Sequence, residues 1–358
     1  MSTFIKTPEW TILELADQSL AFVRSDGHNV RVASPPERLG ALLDALDGQP
    51  LAEAMAQIGV EPGSECGIEL ASAVDQLAQR GVLLARAALS RPPWVCDSLF
   101  ERMAPFAERL DGWVAIERLR SASVMMLGAG GGVGSGAAML LAAAGIGTLV
   151  LVDADIVEPS NLTRQIFFDT ADIGQPKVEA LRRRIEAFTP FTAVRTVPST
   201  IGSASDAIEH LRMHAVDMVL NCADFPAVHL ARWLAEACVA TDVPYLGVLQ
   251  GSIGPLLVPG QTACRGCEEQ ADREVHPHYD AMMDALAAAK PKRRPSSPLG
   301  VLSAATVQAR EAIGFITGAW TPRTLRGRVD LHGSDRLVQI ERHPQCPICG
   351  PDVLARTG

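Results

Sequence analysis

Residues 124–134 read VMMLGAGGGVG, an apolar run that leads directly into a glycine loop. The run Val124–Leu127 has the composition of a buried strand, and residues 136–144 continue as a predicted helix. A second apolar strand is predicted at Thr148–Val152. Strand, loop, helix and strand in this order form a βαβ unit, which requires a parallel sheet. The stretch therefore predicts an α/β fold.

The same alternation continues along the chain, so we predict a doubly wound, Rossmann-like domain over residues 99–358. A long crossing loop is expected near 271–300, where KPKRRPSSP is unfavourable for regular structure. The other predicted elements are helices at 178–188, 205–214, 227–240 and 301–316, strands at 194–197, 218–221 and 245–249, and a hairpin at 326–342.

Residues 1–90 have a different pattern, which predicts a small α+β domain. Strands are predicted at 10–15, 20–24 and 30–33, the last two joined across Asp26-Gly27, and helices at 35–46, 51–58 and 68–84. Residues 91–98 are predicted to be a linker, because Pro92-Pro93 resists helix and strand. Three strands followed by three helices resemble the winged-helix-like, PqqD-like domains that bind leader peptides by strand addition. A dimerisation or lid domain remains an alternative.

The charge balance limits the partners that this chain can have. It has 358 residues and a formal net charge of -9, which argues against a nucleic-acid-binding surface. Residues 137–152 form the longest apolar run, but Gly145 and Gly147 interrupt it, and a membrane helix needs about 20 residues. No secretory signal is recognised at the start. We expect a cytoplasmic protein without a membrane span.

The glycine loop predicts a nucleotide site. Gly128, Gly130 and Gly131 let backbone amides approach a phosphate at a helix N-terminus. Asp153 ends the next strand, where its carboxylate can bind ribose hydroxyls. These residues alone leave NAD open as the ligand, and they also leave open a tight turn that binds nothing.

The segment after Asp153 favours ATP over NAD. It reads DADIVEPSNLTRQIFFDTADIGQPK and brings Asn161, Arg164 and Lys177 beyond the ribose carboxylate. A dinucleotide pyrophosphate is already held by the glycine loop, whereas a triphosphate needs further donors and positive charge. Arg offers a planar fork to phosphate oxygens, and Lys offers a compact charge.

Four features in order resemble the family that includes ThiF, MoeB, HesA and the ubiquitin-activating enzymes: the glycine loop, DxD at 153–155, SNLxRQ at 160–165 and IGQPK at 173–177. The resemblance implies an ATP-dependent adenylyltransferase, with Arg164, Lys177 and Asp224 as catalytic residues. It implies nucleotide contacts from Gly128, Gly130, Gly131, Asp153, Asp155, Asn161, Arg164, Gln165, Lys177 and Asp224.

Asp224 corresponds by resemblance to the family's Mg²⁺-binding aspartate, although Phe225 stands where the family's motif has Asn. A helix N-cap before Pro226 is the alternative role for this carboxylate. Family members also form homodimers in which an Arg reaches the partner's ATP, and Arg102 or Arg109 would fit that description. An exposed helical Arg is the competing interpretation of either residue.

The eight cysteines divide into two groups. Cys264 and Cys267, with Cys346 and Cys349, form two CxxC pairs that predict one closed, structural Zn²⁺ site, with a redox CxxC as the alternative. The family commonly has such pairs. The others, including Cys222 and Cys238, are interpreted as free thiols, so we predict no thioester-forming cysteine.

Three functions remain open from the sequence. The first is adenylation of a carboxylate on a precursor peptide held by residues 1–90, as in peptide-modifying ThiF-like enzymes of the microcin and pantocin type. The second is activation of a ubiquitin-like sulfur carrier that ends in Gly-Gly. The third is a protein without catalytic activity that binds a leader peptide and delivers it to a partner cyclodehydratase. Intact Asp153, Arg164 and Lys177 argue against the third.

Overall fold

The computed structural model describes residues 3–6, 10–24, 28–85, 113–226, 228–249, 251–288, 296–331 and 336–350. The chain divides into two compact units, residues 1–116 and 117–358. The predicted linker 91–98, Cys96, Arg102 and Arg109 lie outside the described residues.

The N-terminal unit contains two small sheets and three helices among its described residues. The strand orders are β2-β3-β4 and β5-β1-β6, both antiparallel. Its strands are β1 (Thr3–Lys6), β2 (Trp10–Glu14), β3 (Leu20–Arg24), β4 (Asn29–Val32), β5 (Asp47–Pro50) and β6 (Leu83–Ala85), and its helices are α1 (Leu39–Ala45), α2 (Leu51–Gln57) and α3 (Glu65–Gln79).

The structure agrees with the predicted β2, β3 and β4 and with the three helices of this unit, but it adds a second sheet. The prediction of helix up to residue 84 is wrong, because α3 ends at Gln79 and β6 follows. Gly81, with a φ of 71°, has the left-handed backbone that commonly ends a helix. Strands β1 and β5 were not predicted, since neither has a clear period of two.

The second unit contains one eight-stranded sheet with helices on both faces, which confirms the doubly wound α/β fold. Its strands are β7 (Ser123–Leu127), β8 (Thr148–Val152), β9 (Ala193–Val197), β10 (Met218–Asn221), β11 (Tyr245–Leu249), β12 (Ser252–Ile253), β13 (Gly327–Asp330) and β14 (Leu337–Gln339). Its helices are α4 (Trp113–Ser121), which contains the division between the units, α5 (Gly132–Ala144), α6 (Lys177–Phe188), α7 (Ala204–His214), α8 (His229–Thr241), α9 (Arg265–Val275), α10 (Tyr279–Ala288) and α11 (Pro298–Thr317).

The sheet order is β14-β13-β12-β11-β10-β7-β8-β9, parallel from β11 to β9 and antiparallel from β11 to β14. Successive residues of the central strands enter opposite cores, as the two-residue period of a strand requires. Leu149 and Leu151 pack with α5, α6 and α11, whereas Val150 and Val152 pack with α7 and α8. Burial on both faces explains why the central strands are almost wholly apolar.

The predicted crossing loop at 271–300 is corrected by the structure. Helices α9 and α10 occupy most of its described part, and α11 begins at Pro298. Ser297 caps α11 by accepting a hydrogen bond from the Gly300 amide. Among the residues that the structure describes, no helix is both long and apolar enough to cross a membrane.

Helices α5 and α11 pack closely because glycines face α11. A Cβ at residue 136 would lie 2.8 Å from the Ala305 Cβ, and a Cβ at residue 132 would lie 3.0 Å from Val301. Helix α5 itself begins at Gly132, inside the glycine loop, rather than at the predicted Gly136. The position of α11 is therefore fixed against the helix that leaves this loop.

We expect Gly136→Ala to destabilise the second unit by about 1–3 kcal/mol, because the new methyl group would force the two helices apart. Gly300→Ala is the matched control, since residue 300 also lies in a helix and its Cβ would meet nothing closer than 3.4 Å. Urea unfolding followed by circular dichroism measures both variants. Equal unfolding midpoints for the two variants would contradict this account of the packing.

Candidate functional site

The candidate site lies at the carboxyl ends of β7, β8 and β10. Strand β7 is flanked by β8 on one side and by β10 on the other. The strand order therefore changes direction at β7: the chain adds β8 and β9 on one side and then β10 and β11 on the other. In doubly wound sheets, ligands bind in the crevice at such a switch point. The glycine loop follows β7, Asp153 follows β8, and Asp224 follows β10 by three residues.

The glycine loop is shaped by contacts that exclude side chains. Gly128 has a φ of 67°, and a Cβ there would lie 2.6 Å from the Ala223 nitrogen. The loop continues into α5, whose N-cap is Gly131. Within the part of the chain that the structure describes, no side chain caps this helix. The first amides of α5 have no partner within the helix, so they form a place for an anion.

Asp153 accepts two backbone hydrogen bonds, one from the glycine loop and one from its own DxD motif. Its Oδ2 accepts from the Gly130 amide and its Oδ1 from the Asp155 amide, each at 2.9 Å. Burial is the main cause that raises the pKa of Asp153 above its usual range, while the two amides and nearby Lys177 act in the opposite direction. The remaining lone pairs of both oxygens stay available for hydroxyl donors.

A short antiparallel ladder brings the DxD and IGQPK motifs together. Ile156 bridges Pro176, and the Lys177 amide donates to the Asp155 carbonyl at 2.9 Å. The Lys177 side chain is only 7% exposed, packs where a Cβ of Gly130 would lie, and reaches the Asp155 carboxylate at 2.9 Å. A nearly buried ammonium group thus lies beside the glycine loop, where it can meet phosphate.

The SNLxRQ motif forms a 3₁₀ turn, Pro159–Asn161, and the residues just after it. Asn161 is buried, and its Oδ1 accepts from the Glu158 amide at 2.9 Å. Arg164 is half-buried and donates to the Ser160 carbonyl at 3.0 Å. Gln165 is 3% exposed, and its Oε1 has no hydrogen-bond partner among the described residues. A buried acceptor without a donor fits a motif that contacts a ligand.

Asp224 ends a turn that lies directly against the glycine loop. The Cys222 amide donates to the Leu127 carbonyl at 2.8 Å, and the Asp224 carboxylate is exposed. Helix α8 begins at His229 with Val228 as its N-cap, so the alternative role of Asp224 as a helix cap is wrong. The Asp224 carboxylate does not cap this helix and is available to bind a cation.

The two cysteines predicted to be free thiols in this domain are Cys222, which is half-buried, and Cys238, which is buried. Burial raises the pKa of Cys222 to about 12 and raises the pKa of Cys238 as well. Neither group ionises near neutral pH, so neither is an activated nucleophile. Sequence reasoning missed Gln308, which contacts Cys222 from α11. The available signal was a polar residue on the helix face that also carries Ala304, Ala305 and Ala312.

The four CxxC sulfurs meet in one buried cluster. All four Sγ atoms lie within 4.8 Å of one another, and Cys264 lies 3.9 Å from Cys267 and 3.4 Å from Cys346. A tetrahedral zinc site with Zn–S bonds of about 2.3 Å separates its sulfurs by about 3.8 Å. Backbone amides of His343 and Cys349 also point to these sulfurs. The cluster has the composition and dimensions that a closed Zn²⁺ site requires.

We expect the purified chain to contain about one equivalent of zinc, and Cys346→Ser to lose it and to unfold at lower temperature. Cys66→Ser is the control, because this cysteine lies outside the cluster. Elemental analysis and thermal unfolding measure the two effects. Full zinc content in Cys346→Ser, or no metal in the unaltered chain, would refute a structural zinc site.

Comparison with known proteins agrees with this site. The model of the ThiF family matches residues 100–348. The sulfur carrier protein adenylyltransferase of Thermus thermophilus is 32% identical over 250 residues, 67% of this chain and 86% of that protein. The molybdopterin-synthase adenylyltransferase of Escherichia coli is 30% identical over 246 residues, 65% of this chain and 89% of that protein.

Solved structures show the same fold. The crystal structure of E. coli MccB with ATP has a TM-score of 0.74 and 22% identity, covering 98% of this chain and 100% of that one. The structure of PaaA has a TM-score of 0.69 and 22% identity, covering 94% and 99% of the respective chains. The matched family model, the named relatives and the geometry of the glycine loop agree: this chain is a member of the ThiF family and an adenylyltransferase.

Proposed function

We propose that this protein uses ATP to adenylate a carboxylate on a ribosomally made precursor peptide, which the N-terminal unit holds. The observation that carries the choice of acceptor is the extent of the likeness. The named carrier-activating relatives align with 65–67% of this chain, whereas MccB, whose structures include one with the peptide MccA, is similar in fold over 98%. An N-terminal unit beyond the carrier-activating core is thus the feature that favours a peptide.

The site residues have separate duties in this proposal. Asp153 accepts hydrogen bonds from ribose hydroxyls while it holds the Gly130 and Asp155 amides, and the first turn of α5 receives phosphate oxygens. Lys177 leaves its ion pair with the exposed carboxylate of Asp155 and neutralises phosphate charge together with Arg164. The motif residues Gly128, Gly130, Gly131, Asn161 and Gln165 shape the surrounding surface.

Magnesium has a candidate ligand in Asp224, since Mg²⁺ prefers carboxylate oxygens and this one is exposed beside the glycine loop. When bound, Mg²⁺ supplies charge neutralisation at the phosphates. The closed cysteine cluster has no open position, so we propose that Zn²⁺ there is structural.

The reaction needs positioning rather than a protein nucleophile. An oxygen of the acceptor carboxylate attacks the α-phosphorus of ATP, the bond from that phosphorus to the bridging oxygen breaks, and pyrophosphate leaves with the electron pair. The product is an acyl adenylate. The raised pKa values of Cys222 and Cys238 agree with a reaction that uses neither thiol.

We propose that residues 1–90 are a PqqD-like peptide-binding domain. Strands β2 and β4 are the edges of their three-stranded sheet among the described residues, and an edge strand can pair with an extended peptide. The exposed apolar side chains of Leu13, Val23 and Ile68 offer contacts for such a segment. Strand addition at this sheet is therefore the proposed mode of capture.

A homodimer is also part of the proposal. Ile156 and Ile166 are each 52% exposed and Ile173 is 40% exposed, all on the segment that carries the nucleotide motifs. Exposed apolar residues on one segment are typical of an interface. A second copy of the chain would cover these side chains. Size-exclusion chromatography with light scattering measures the molar mass and so distinguishes a dimer from a monomer.

Asp153→Asn should weaken ATP binding roughly tenfold or more, because the amide has one acceptor oxygen for the Gly130 and Asp155 amides and leaves one N–H without its partner, at a cost of about 1–3 kcal/mol. Asp217→Asn is the matched control, since Asp217 accepts the Ser123 amide at the opposite end of β7. Isothermal titration calorimetry with ATP distinguishes them. Equal affinities in both variants would remove Asp153 from the nucleotide site.

Asp224→Asn should reduce ATP–pyrophosphate exchange by roughly 100-fold or more, because it removes the charge proposed to hold Mg²⁺. Asp242→Asn is the control, an exposed aspartate at the far end of α8. Exchange is measured with synthetic precursor peptides and, separately, with a sulfur carrier ending in Gly-Gly. Exchange with the peptide alone supports the proposal, and exchange with the carrier alone supports the second function.

The third function predicts a different result. A peptide-binding partner without activity would bind labelled peptide in a fluorescence anisotropy titration but give no exchange with peptide or carrier. That outcome would contradict adenylation of either acceptor.

A further inference from the structure

Gln308 is a fully buried amide on α11 whose hydrogen bonds lead to β10, to β11 and to the residue after β10. Its Nε2 donates to the Asn221 carbonyl at 3.2 Å and to the Leu246 carbonyl at 3.4 Å. Its Oε1 accepts from the Cys222 thiol at 3.1 Å. None of its surface is exposed, so water cannot replace these partners. One side chain therefore joins α11 to β10, β11 and the turn after β10.

The turn that Gln308 contacts is held on other sides as well. The Asn221 Oδ1 accepts from the Ala223 amide at 3.1 Å, and a hydrogen bond joins the Asn221 side chain to the Tyr245 hydroxyl. The Cys222 amide donates to the Leu127 carbonyl at 2.8 Å, just before the glycine loop. The backbone at 221–223 has little freedom, and the next residue is Asp224.

The Cys222 thiol is the second contact between Gln308 and this turn. Its Sγ donates to the Gln308 Oε1 at 3.1 Å, one residue after the Asn221 carbonyl that the Gln308 Nε2 reaches. The Gln308 side chain therefore contacts the turn at a backbone carbonyl and at a side chain.

The other end of this connection is the glycine loop. Helix α11, which carries Gln308, packs on α5 through Val301 against Gly132 and Ala305 against Gly136. The spacing between Ala305 and Gln308 is one helical turn. Through α11, Gln308 thus links the position of the Asp224 turn to α5, the helix whose N-terminus is the proposed phosphate site.

We propose that Gln308 is a positioning residue that fixes the 221–223 turn against the glycine loop and thereby sets the carboxylate of Asp224 for Mg²⁺. The inference rests on the proposed function, which gives Asp224 its role. Gln308 itself touches neither substrate nor metal. Its loss frees the turn and leaves the carbonyls of Asn221 and Leu246 without this donor.

The test is the effect of Mg²⁺ on binding of a non-hydrolysable ATP analogue to the full chain, which needs no acceptor. Gln308→Leu should raise the half-saturating Mg²⁺ concentration about tenfold, the size of a typical coupling between neighbouring residues, and should leave binding in EDTA within about twofold of the unaltered chain. An unchanged Mg²⁺ requirement in Gln308→Leu would overturn the inference.

Glu311→Leu is the matched control for a buried polar residue on the same helix. Glu311 is 2% exposed and accepts from the Thr324 amide and hydroxyl, each at 2.8 Å, away from the Asp224 turn. We expect lower thermal stability in this variant with a normal Mg²⁺ requirement. An equal rise in the Mg²⁺ requirement for both variants would mean that Gln308 has only a structural role.

A milder pair of variants tests the same link if Gln308→Leu does not fold. Cys222→Ala removes the donor to the Gln308 Oε1, whereas Cys222→Ser restores a donor of similar size. The alanine variant should need a higher Mg²⁺ concentration for half-saturation, and the serine variant should need a concentration close to that of the unaltered chain. Equal values for the two variants would contradict the proposal.

A double-mutant cycle separates this inference from the proposed function. If Gln308 acts through Asp224, the Gln308→Leu and Asp224→Asn double variant binds Mg²⁺-nucleotide as Asp224→Asn alone does. Losses that multiply would overturn the inference only. A normal Mg²⁺ requirement in Asp224→Asn would instead overturn the magnesium assignment of the proposed function, and the inference with it.

Discussion

The close approach of backbone to backbone at the glycine loop is the constraint on which the rest of the site depends. Gly128 lies against the Ala223 nitrogen, and Gly130 leaves the space that the Lys177 stem fills. A single methyl group at either position would separate β7 from a neighbouring motif. The loop therefore brings segments nearly 100 residues apart into one crevice, and it leaves the first amides of α5 open to an anion.

Charge around this crevice is arranged so that the free protein stabilises its own cations. The Lys177 ammonium is almost buried and pairs with an exposed carboxylate, while Asp153 accepts one hydrogen bond from the Gly130 amide of the loop and one from the Asp155 amide. An incoming triphosphate can take the place of the Asp155 carboxylate as the partner of this ammonium, so that the almost buried charge stays paired. The buried partners stay in place and keep the crevice organised.

The motifs were predictable because each is local. A strand, a glycine loop and a helix are adjacent in the chain, as are the two cysteines of each CxxC pair, and apolar patterning identified all five parallel strands. Where prediction failed, the structure depends on distant partners. Strands β1, β5 and β6 pair with one another from distant parts of the N-terminal unit. Helix α10 and the end of α9 lie within 271–300, a segment predicted to be a loop because of its proline-rich, basic end at 290–298.

The sequence by itself determined the fold class of the second unit, the order of its nucleotide motifs and the pairing of two cysteine knuckles, because periodicity and short spacings encode them. Only the tertiary structure decided that the four sulfurs meet in one cluster and that Asp224 does not cap α8. It also decided that Gln308 joins α11 to the 221–223 turn, just before Asp224. Those contacts join residues 80 or more positions apart or depend on where a helix begins. No local pattern specifies them, since packing of whole elements brings the partners together.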